Sequence, residues 1–142
     1  GKMTMYPDYN RTARDIVLYF LRRYFPDKES LMQPREPVVC ETPDESIAGI
    51  FSAKSFEENY RNLIQAVRQH GEHVPPLVNA YMNLSPTMHT FGTAINHYFG
   101  EVEETGILIY IDDIYPRKKE RHLTTYIQKL SSLKGLRWRR KK

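Results

Sequence analysis

Asp112 and Asp113 stand side by side at the end of the most apolar run of this sequence, Gly106-Ile107-Leu108-Ile109-Tyr110-Ile111. Two carboxylates divide acid and base work when both face one substrate. The run reads as a strand, whose successive side chains point to opposite faces, so these two do not form a dyad. A second acidic group, Glu101, Glu103 and Glu104, precedes the run and reads as a solvated connection. The histidines lack metal-ligand spacing. His89 and His97 share one strand face but lie about 26 Å apart at about 3.3 Å per residue. His70 and His73 straddle Gly71 at a helix end. Cys40 is the sole cysteine, which excludes an internal disulfide framework and suits a reducing compartment. Nothing beside it in sequence would lower its pKa, so it reads as a bystander thiol.

The elements that must position these groups follow from periodicity. Pro7-Asp8-Tyr9-Asn10 is a turn handing over to a helix, with Asp8 or Asn10 as cap. Ala13, Ile16, Val17, Phe20, Leu21 and Tyr24 form one face of it, while Arg11, Arg14, Asp15, Arg22 and Arg23 lie elsewhere. Before it, Met3, Met5 and Tyr6 read as the end of a strand. Residues 33–46, with Pro34, Pro37 and Pro43, form an irregular connection in which Val38-Val39-Cys40 could add an edge strand. Ile47 to Phe51 reads as a second short extended piece. Ser55-Phe56-Glu57-Glu58 is a capping box for a helix with Tyr60, Leu63, Ile64 and Val67 on its face and Gly71 as its stop.

Pro75 and Pro76 suit the first turn of a further helix, striped by Leu77, Val78, Tyr81 and Leu84. In the next strand Phe91, Thr93 and Ile95 point one way and Gly92 and Ala94 the other. The two small residues leave room for a ligand or for a helix packed on that face. Gly106 to Ile111 reads as a central strand covered on both faces. Tyr115-Pro116 opens a last helix whose face is Leu123, Tyr126, Ile127 and Leu130.

The whole reads as one α+β domain over residues 1–130, helices on a small mixed sheet, followed by a basic tail at 131–142. The net charge of +4 comes from that tail. Lys134, Arg137, Arg139, Arg140, Lys141 and Lys142 carry six positive charges, leaving 15 basic and 17 acidic residues elsewhere. Interleaved with Leu136 and Trp138, such a tail suits an anionic lipid surface, or nucleic acid through phosphate neutralisation. No apolar run approaches the roughly 20 residues of a membrane-spanning helix.

The order Pro75-Pro76-Leu77, Tyr81, Leu84, Gly92, Phe99, the apolar strand ending at Asp112, and Pro116-Arg117 resembles the hemolysin-named, GNAT-like acyltransferases. That family transfers a fatty acyl chain from acyl carrier protein to an amino acid amine, as in ornithine- and glycine-lipid synthesis. The resemblance covers most of residues 3 to 130, as the C-terminal half of a longer member. It implies a partial GNAT-like fold, no bound cofactor, and an acyl carrier protein or coenzyme A thioester as donor. The donor's pantetheine arm would sit where two parallel strands splay apart, with its phosphate site upstream of Gly1. The helix from Tyr9 to Tyr24 would follow the second splayed strand. Tyr6 and Tyr9 are then the candidates for protonating the leaving thiolate, and Asp112 matches a family aspartate. Glu101 and Glu103, with Gly92 and Ala94, are the candidates for the acceptor side, the carboxylates taking a cationic amine. One departure stands out: the family's acidic-Pro-acidic-Phe segment is here Asn96-His97-Tyr98-Phe99.

The resemblance further implies a cytoplasmic protein, peripheral at the inner membrane face. Its partners would be acyl carrier protein or the upstream half, and an open sheet edge would pair two copies into a homodimer. The alternative is a non-catalytic binding module that uses its tail on nucleic acid or anionic membrane. Truncation at residue 133 separates tail from fold. The shortened chain should melt at the unchanged temperature and co-sediment less with phosphatidylglycerol vesicles, and equal sedimentation of the two chains would remove the tail from membrane binding.

Overall fold

The computed structural model describes residues 1–121. The last-helix face from Leu123 onward, and the tail from Lys134 to Lys142, lie outside the described residues.

The chain opens with strand β1 (Lys2–Met5), which places Met3 and Met5 in the core. A turn then leads to helix α1 (Arg11–Tyr24), where Asn10 caps the start by accepting a hydrogen bond from the Ala13 amide. The expected stripe is buried, from Ala13 through Ile16, Val17, Phe20 and Leu21. Helix α2 (Asp44–Ala48) and the 3-10 turn Gly49–Phe51 stand where an extended piece was expected. Ile47 and Phe51 are four apart, a helical spacing, and both are fully buried. Helix α3 (Phe56–Gln69) is capped by Ser55, which accepts from the Glu58 amide, and it stops at Gly71 with φ +77°. A left-handed backbone there favours glycine. Around Phe20 the rings of Tyr24, Phe51, Phe56 and Tyr60 lie at centroid distances of 4.5 to 6.3 Å, and this cluster joins α1 to α3. Helix α4 (Pro76–Met82) buries Val78 and Met82, while Leu77 of the expected stripe faces outward.

Strands β2 (His89–Asn96) and β3 (Val102–Leu108) form a hairpin, and the sheet order is β1-β3-β2 with both ladders antiparallel. An isolated parallel bridge joins Pro26 to Thr90. The apolar strand is therefore central, as expected, but its bounds differ. It begins at Val102, so Glu103 and Glu104 belong to the strand, and the hairpin connection is 97–101. It ends at Leu108, because Ile111–Asp113 turns into a 3-10 helix. Thr105 and Ile107 are buried against α1 while Gly106 and Leu108 are half-covered, so one face is buried rather than both.

A bulge between Thr90 and Thr93 shifts the register of β2 against β3. Three residues then span what two would, so Thr90 and Thr93 both face the core. Thr93 and Thr105 share a buried hydroxyl hydrogen bond of 2.7 Å. Strict alternation over Phe91, Thr93 and Ile95 fails for the same reason. The face bearing Gly92 is covered by the Pro-rich connection rather than a helix. A Cβ on Gly92 would lie 2.5 Å from Cδ of Pro34, and one on Gly106 would lie 2.7 Å from Cε of Met32. Val38-Val39-Cys40 forms no strand and contributes one backbone bond, from the Val38 amide to the Thr93 carbonyl.

At the other edge, Gly1 and Ile107 exchange both backbone hydrogen bonds. Alternation then pairs Met3 with Thr105 and Met5 with Glu103, leaving the amides and carbonyls of Lys2 and Thr4 directed away from β3. Among the described residues nothing pairs with that edge.

These bounds separate two substitutions. Ile107→Asp places a charge in the core and should cost on the order of 4 kcal/mol in urea denaturation. Ile109→Asp, beyond the strand and half-buried, should cost less than half as much. Equal losses would extend the buried strand past Leu108.

Candidate functional site

A cleft of about 400 Å³ opens at the amino end of α1, walled by the hairpin end of the sheet and by the connection 37–41. Each wall has a local cause. Pro7 ends β1 and turns Tyr6 and Tyr9 toward the cleft, Asn10 fixes where α1 starts, and the hairpin turn carries Glu101 with φ +56°. The cleft collects four of the residues singled out from sequence: Tyr6, Tyr9, Glu101 and Glu103. Gly92 and Ala94 do not join them, and line a separate hollow of about 480 Å³ on the opposite sheet face.

Asp112 and Asp113 lie in the 3-10 turn, not in a strand. Asp112 is fully exposed and pairs with Lys119 at 3.5 Å. Asp113 does not cap the following helix and instead accepts a hydrogen bond from the Thr87 hydroxyl at 2.5 Å. Neither reaches the cleft.

Of the two tyrosines, Tyr6 is exposed and Tyr9 half-buried. The Tyr9 hydroxyl donates to the His73 carbonyl at 2.8 Å, tying the start of α1 to the loop before α4. Burial pushes its pKa well above the ordinary tyrosine range, and the charge of Glu72 adds to this. Such a phenol stays protonated at neutral pH, with its hydroxyl hydrogen given to the His73 carbonyl.

The carboxylates are organised by a group that the sequence pattern did not flag. Arg14 and Asp15 lie off the apolar stripe of α1, yet both are buried. Asp15 Oδ2 accepts the backbone amides of Glu41 and Thr42 at 2.9 and 2.8 Å, and Oδ1 accepts Nε of Arg14 at 2.8 Å. Arg14 Nη1 then donates to Oε1 of Glu103 at 2.8 Å. Glu103 Oε2 is buried and has no hydrogen-bond partner among the described residues. A buried acceptor left unpaired costs about 1–3 kcal/mol. Around this chain the pairs are more exposed: Arg11 with Glu41, and Glu101 with Nδ1 of His97 at 2.7 Å. Nothing in helical periodicity marks Arg14 or Asp15, because the cover comes from a connection more than twenty residues away.

Cys40 lies beside this network, with Arg22 Nη1 3.4 Å from its sulfur. Burial pushes its thiol pKa up and the neighbouring Arg22 offsets this in part, so the thiol stays protonated at neutral pH. Among the described residues no three His, Cys, Asp or Glu side chains converge as metal ligands. No described helix is long and apolar enough to cross a membrane.

Over 128 residues, 90% of its length, the chain is 53% identical to a glycine N(alpha)-acyltransferase of Bacteroides thetaiotaomicron. The chain is similar to an N-acyltransferase. A second such relative, the glycine N(alpha)-acyltransferase of Phocaeicola vulgatus, is 51% identical over 128 residues. The chain spans 38% and 39% of the lengths of these relatives. No family model matches it, and no solved structure matches it.

The buried network has a pH signature. Burial alone would raise the Asp15 pKa, but the hydrogen bonds from Thr42 and Arg14 outweigh it and hold the carboxyl below the usual range. A group depressed on folding stabilises fully above its unfolded value, about 4, and loses that contribution as pH falls through the folded value. Asp15→Asn should therefore destabilise at pH 7, by about 1–3 kcal/mol, because Arg14 loses one charged partner but keeps Glu103. The gap to wild type should narrow below about pH 4. Urea denaturation from pH 7 to 2.5 measures it, and a pH-independent gap would remove Asp15 as its source.

Proposed function

We propose that the chain is the acceptor-side part of an N-acyltransferase. It moves a fatty acyl group from an acyl carrier protein or coenzyme A thioester to the amine of an amino acid. The observation that carries this reading is the 51–53% identity, across 90% of the chain, to relatives named for acylating the glycine amine. The product, an acylated amino acid, is amphiphilic and partitions to a membrane surface.

A thioester is already activated, so the protein must position the donor, take the proton from the amine, and donate one to the leaving thiolate. The open outer edge of β1, where Lys2 and Thr4 turn their backbone groups away from β3, is where the first splayed strand and the donor's arm fit this reading, β1 being the second. A hollow of about 290 Å³ beside that edge is lined by Thr4, Tyr6, Tyr9, His73 and Pro75. Tyr9, half-buried at the start of α1, is the proton donor of this scheme once its hydroxyl turns from the His73 carbonyl, and Tyr6 is too exposed to share the role. The fully exposed Asp112 has no role here.

Activity is tested on the polypeptide translated from the complete reading frame, with acyl carrier protein bearing a labelled fatty acyl group and with glycine. The expected product by mass spectrometry is N-acylglycine. Tyr9→Phe should lower kcat about 10²-fold with little change in KM. Absence of any N-acyl amino acid, over a panel of amino acids and both donors, would overturn the reading. Undiminished turnover by residues 1–142 alone would place the donor site within this chain.

A further inference from the structure

Acyl transfer to an amine needs a base as well as an acid, and the hollow beside the open edge of β1 contains a group for that task. Five titratable side chains line it: Tyr6, Asp8, Tyr9, Glu72 and His73. The rest of its wall, from β1 and the two prolines at the start of α4, carries no charge. A phenol keeps its proton at neutral pH, which sets the two tyrosines aside as bases. Glu72 Oε1 already accepts the Asn10 amide at 2.8 Å. An exposed carboxylate such as Asp8 is a weak base toward an ammonium. His73 remains. It is exposed, and its ring makes no hydrogen bond among the described residues. An imidazole, the side chain that ordinarily changes charge near neutrality, is matched to this work.

The position of that ring relative to Tyr9 follows from one hydrogen bond. The Tyr9 hydroxyl donates to the His73 carbonyl at 2.8 Å. Carbonyl and imidazole belong to the same residue, so in any rotamer the ring nitrogens stay within roughly 9 Å of the phenol oxygen. A nitrogen attacking a thioester carbon and the sulfur leaving it are two bonds apart. An acid bonded to that sulfur and a base bonded to that nitrogen therefore stand roughly 6–9 Å from each other. The backbone carrying His73 is also fixed, since the Glu72 amide donates to the Val67 carbonyl at 3.2 Å and the Glu72 carboxylate holds the start of α1. His70, the nearest other histidine in sequence, lines no part of this hollow.

We propose that His73 is the general base of the acyl transfer, its imidazole taking protons from the acceptor nitrogen while Tyr9 gives one to the leaving sulfur. The assignment rests on the N-acyltransfer reading. The acceptor arrives as an ammonium and loses one proton to His73, which passes it to water because the ring is exposed. The amine's lone pair then forms the C–N bond as the carbonyl π pair moves to oxygen. The adduct's nitrogen gives a second proton to His73, the C–S bond breaks with its electron pair on sulfur, and Tyr9 protonates the sulfur. The imidazolium proton returns to the Tyr9 phenolate through water. The products are an amide, a thiol and one released proton.

The test uses the polypeptide translated from the complete reading frame, with glycine as acceptor. His73→Ala should melt at the wild-type temperature, because the ring has no partner to lose, and should lower kcat roughly 10²- to 10³-fold. The acidic limb of its pH profile should flatten, and added imidazole should restore turnover in proportion to its concentration. Loss of a merely structural contact would do neither. His73→Gln, which keeps most of the volume, should be equally slow, and it decides the matter if the alanine variant melts early. If wild type transfers and the variants keep kcat within twofold, the assignment falls with the transfer reading intact. A slowed variant that retains the acidic limb and ignores imidazole has the same meaning. If wild type transfers no acyl group from either donor to any amino acid, the transfer reading falls and His73 loses its role with it.

Discussion

Asp15 is a carboxylate with no exposed surface, placed on the flank of a helix whose other face already builds the core. Burying an anion there is tolerable because three donors converge on it, two backbone amides and the adjacent guanidinium, and that guanidinium also holds a second carboxylate, Glu103. The consequence reaches well beyond one ion pair. The amides of Glu41 and Thr42 are held on α1, which orders a connection that has little regular structure of its own. Through Arg14 the same helix is locked to the end of β3. Helix, connection and sheet meet at one carboxylate, and the walls of the cleft are those three elements.

The sheet shows a second adaptation to the same packing. Three strands must present enough apolar surface to α1, yet β2 is rich in threonine and small residues. The bulge after Thr90 turns two threonines inward, and each is satisfied, Thr93 by Thr105 and Thr90 by the Phe25 carbonyl. On the reverse face, glycine at positions 92 and 106 lets Pro34 and Met32 lie directly on the backbone. The Pro-rich connection thus does the work of a covering layer while its later part, 37–42, caps Asp15. A single irregular segment contacts both faces of the fold.

On the acyl-transfer reading, this geometry would act through rigidity. Acyl transfer to an amine asks mainly for placement, and a placement error of an ångström is costly. A carboxylate whose guanidinium is itself anchored by a buried aspartate has little freedom, whereas Glu101 and His97, on the exposed hairpin turn, have more. The phenol of Tyr9 is likewise pinned, by the His73 carbonyl. Flanking the cleft, the edge of β1, unpaired among the described residues, gives the chain a side to which a further strand can add. The similarity to much longer N-acyltransferases is compatible with an edge of that kind.

The helices were legible in the sequence because each carries its own evidence: a period of 3.6, Asn10 and Ser55 as caps, Gly71 as a stop. The α+β class and a central strand around Ile107 followed from apolar runs, which record burial wherever it comes from. Four of the cleft residues, Tyr6, Tyr9, Glu101 and Glu103, were also candidates, because the family resemblance pointed to them where residue type alone gave packing tyrosines and a solvated acidic loop. What sequence could not supply was which charged residues are covered. Arg14 and Asp15 have the pattern of a solvated flank, and Ile47 to Phe51 have too few residues to distinguish a helical turn from an extended piece. The strand bounds were misplaced because Glu103 and Glu104 look like loop until Arg14 and Lys2 are seen to pair with them. Local sequence determines dihedral preference and apolar periodicity. Burial of a charge depends on partners brought from far along the chain, and those exist only once the tertiary structure has assembled them.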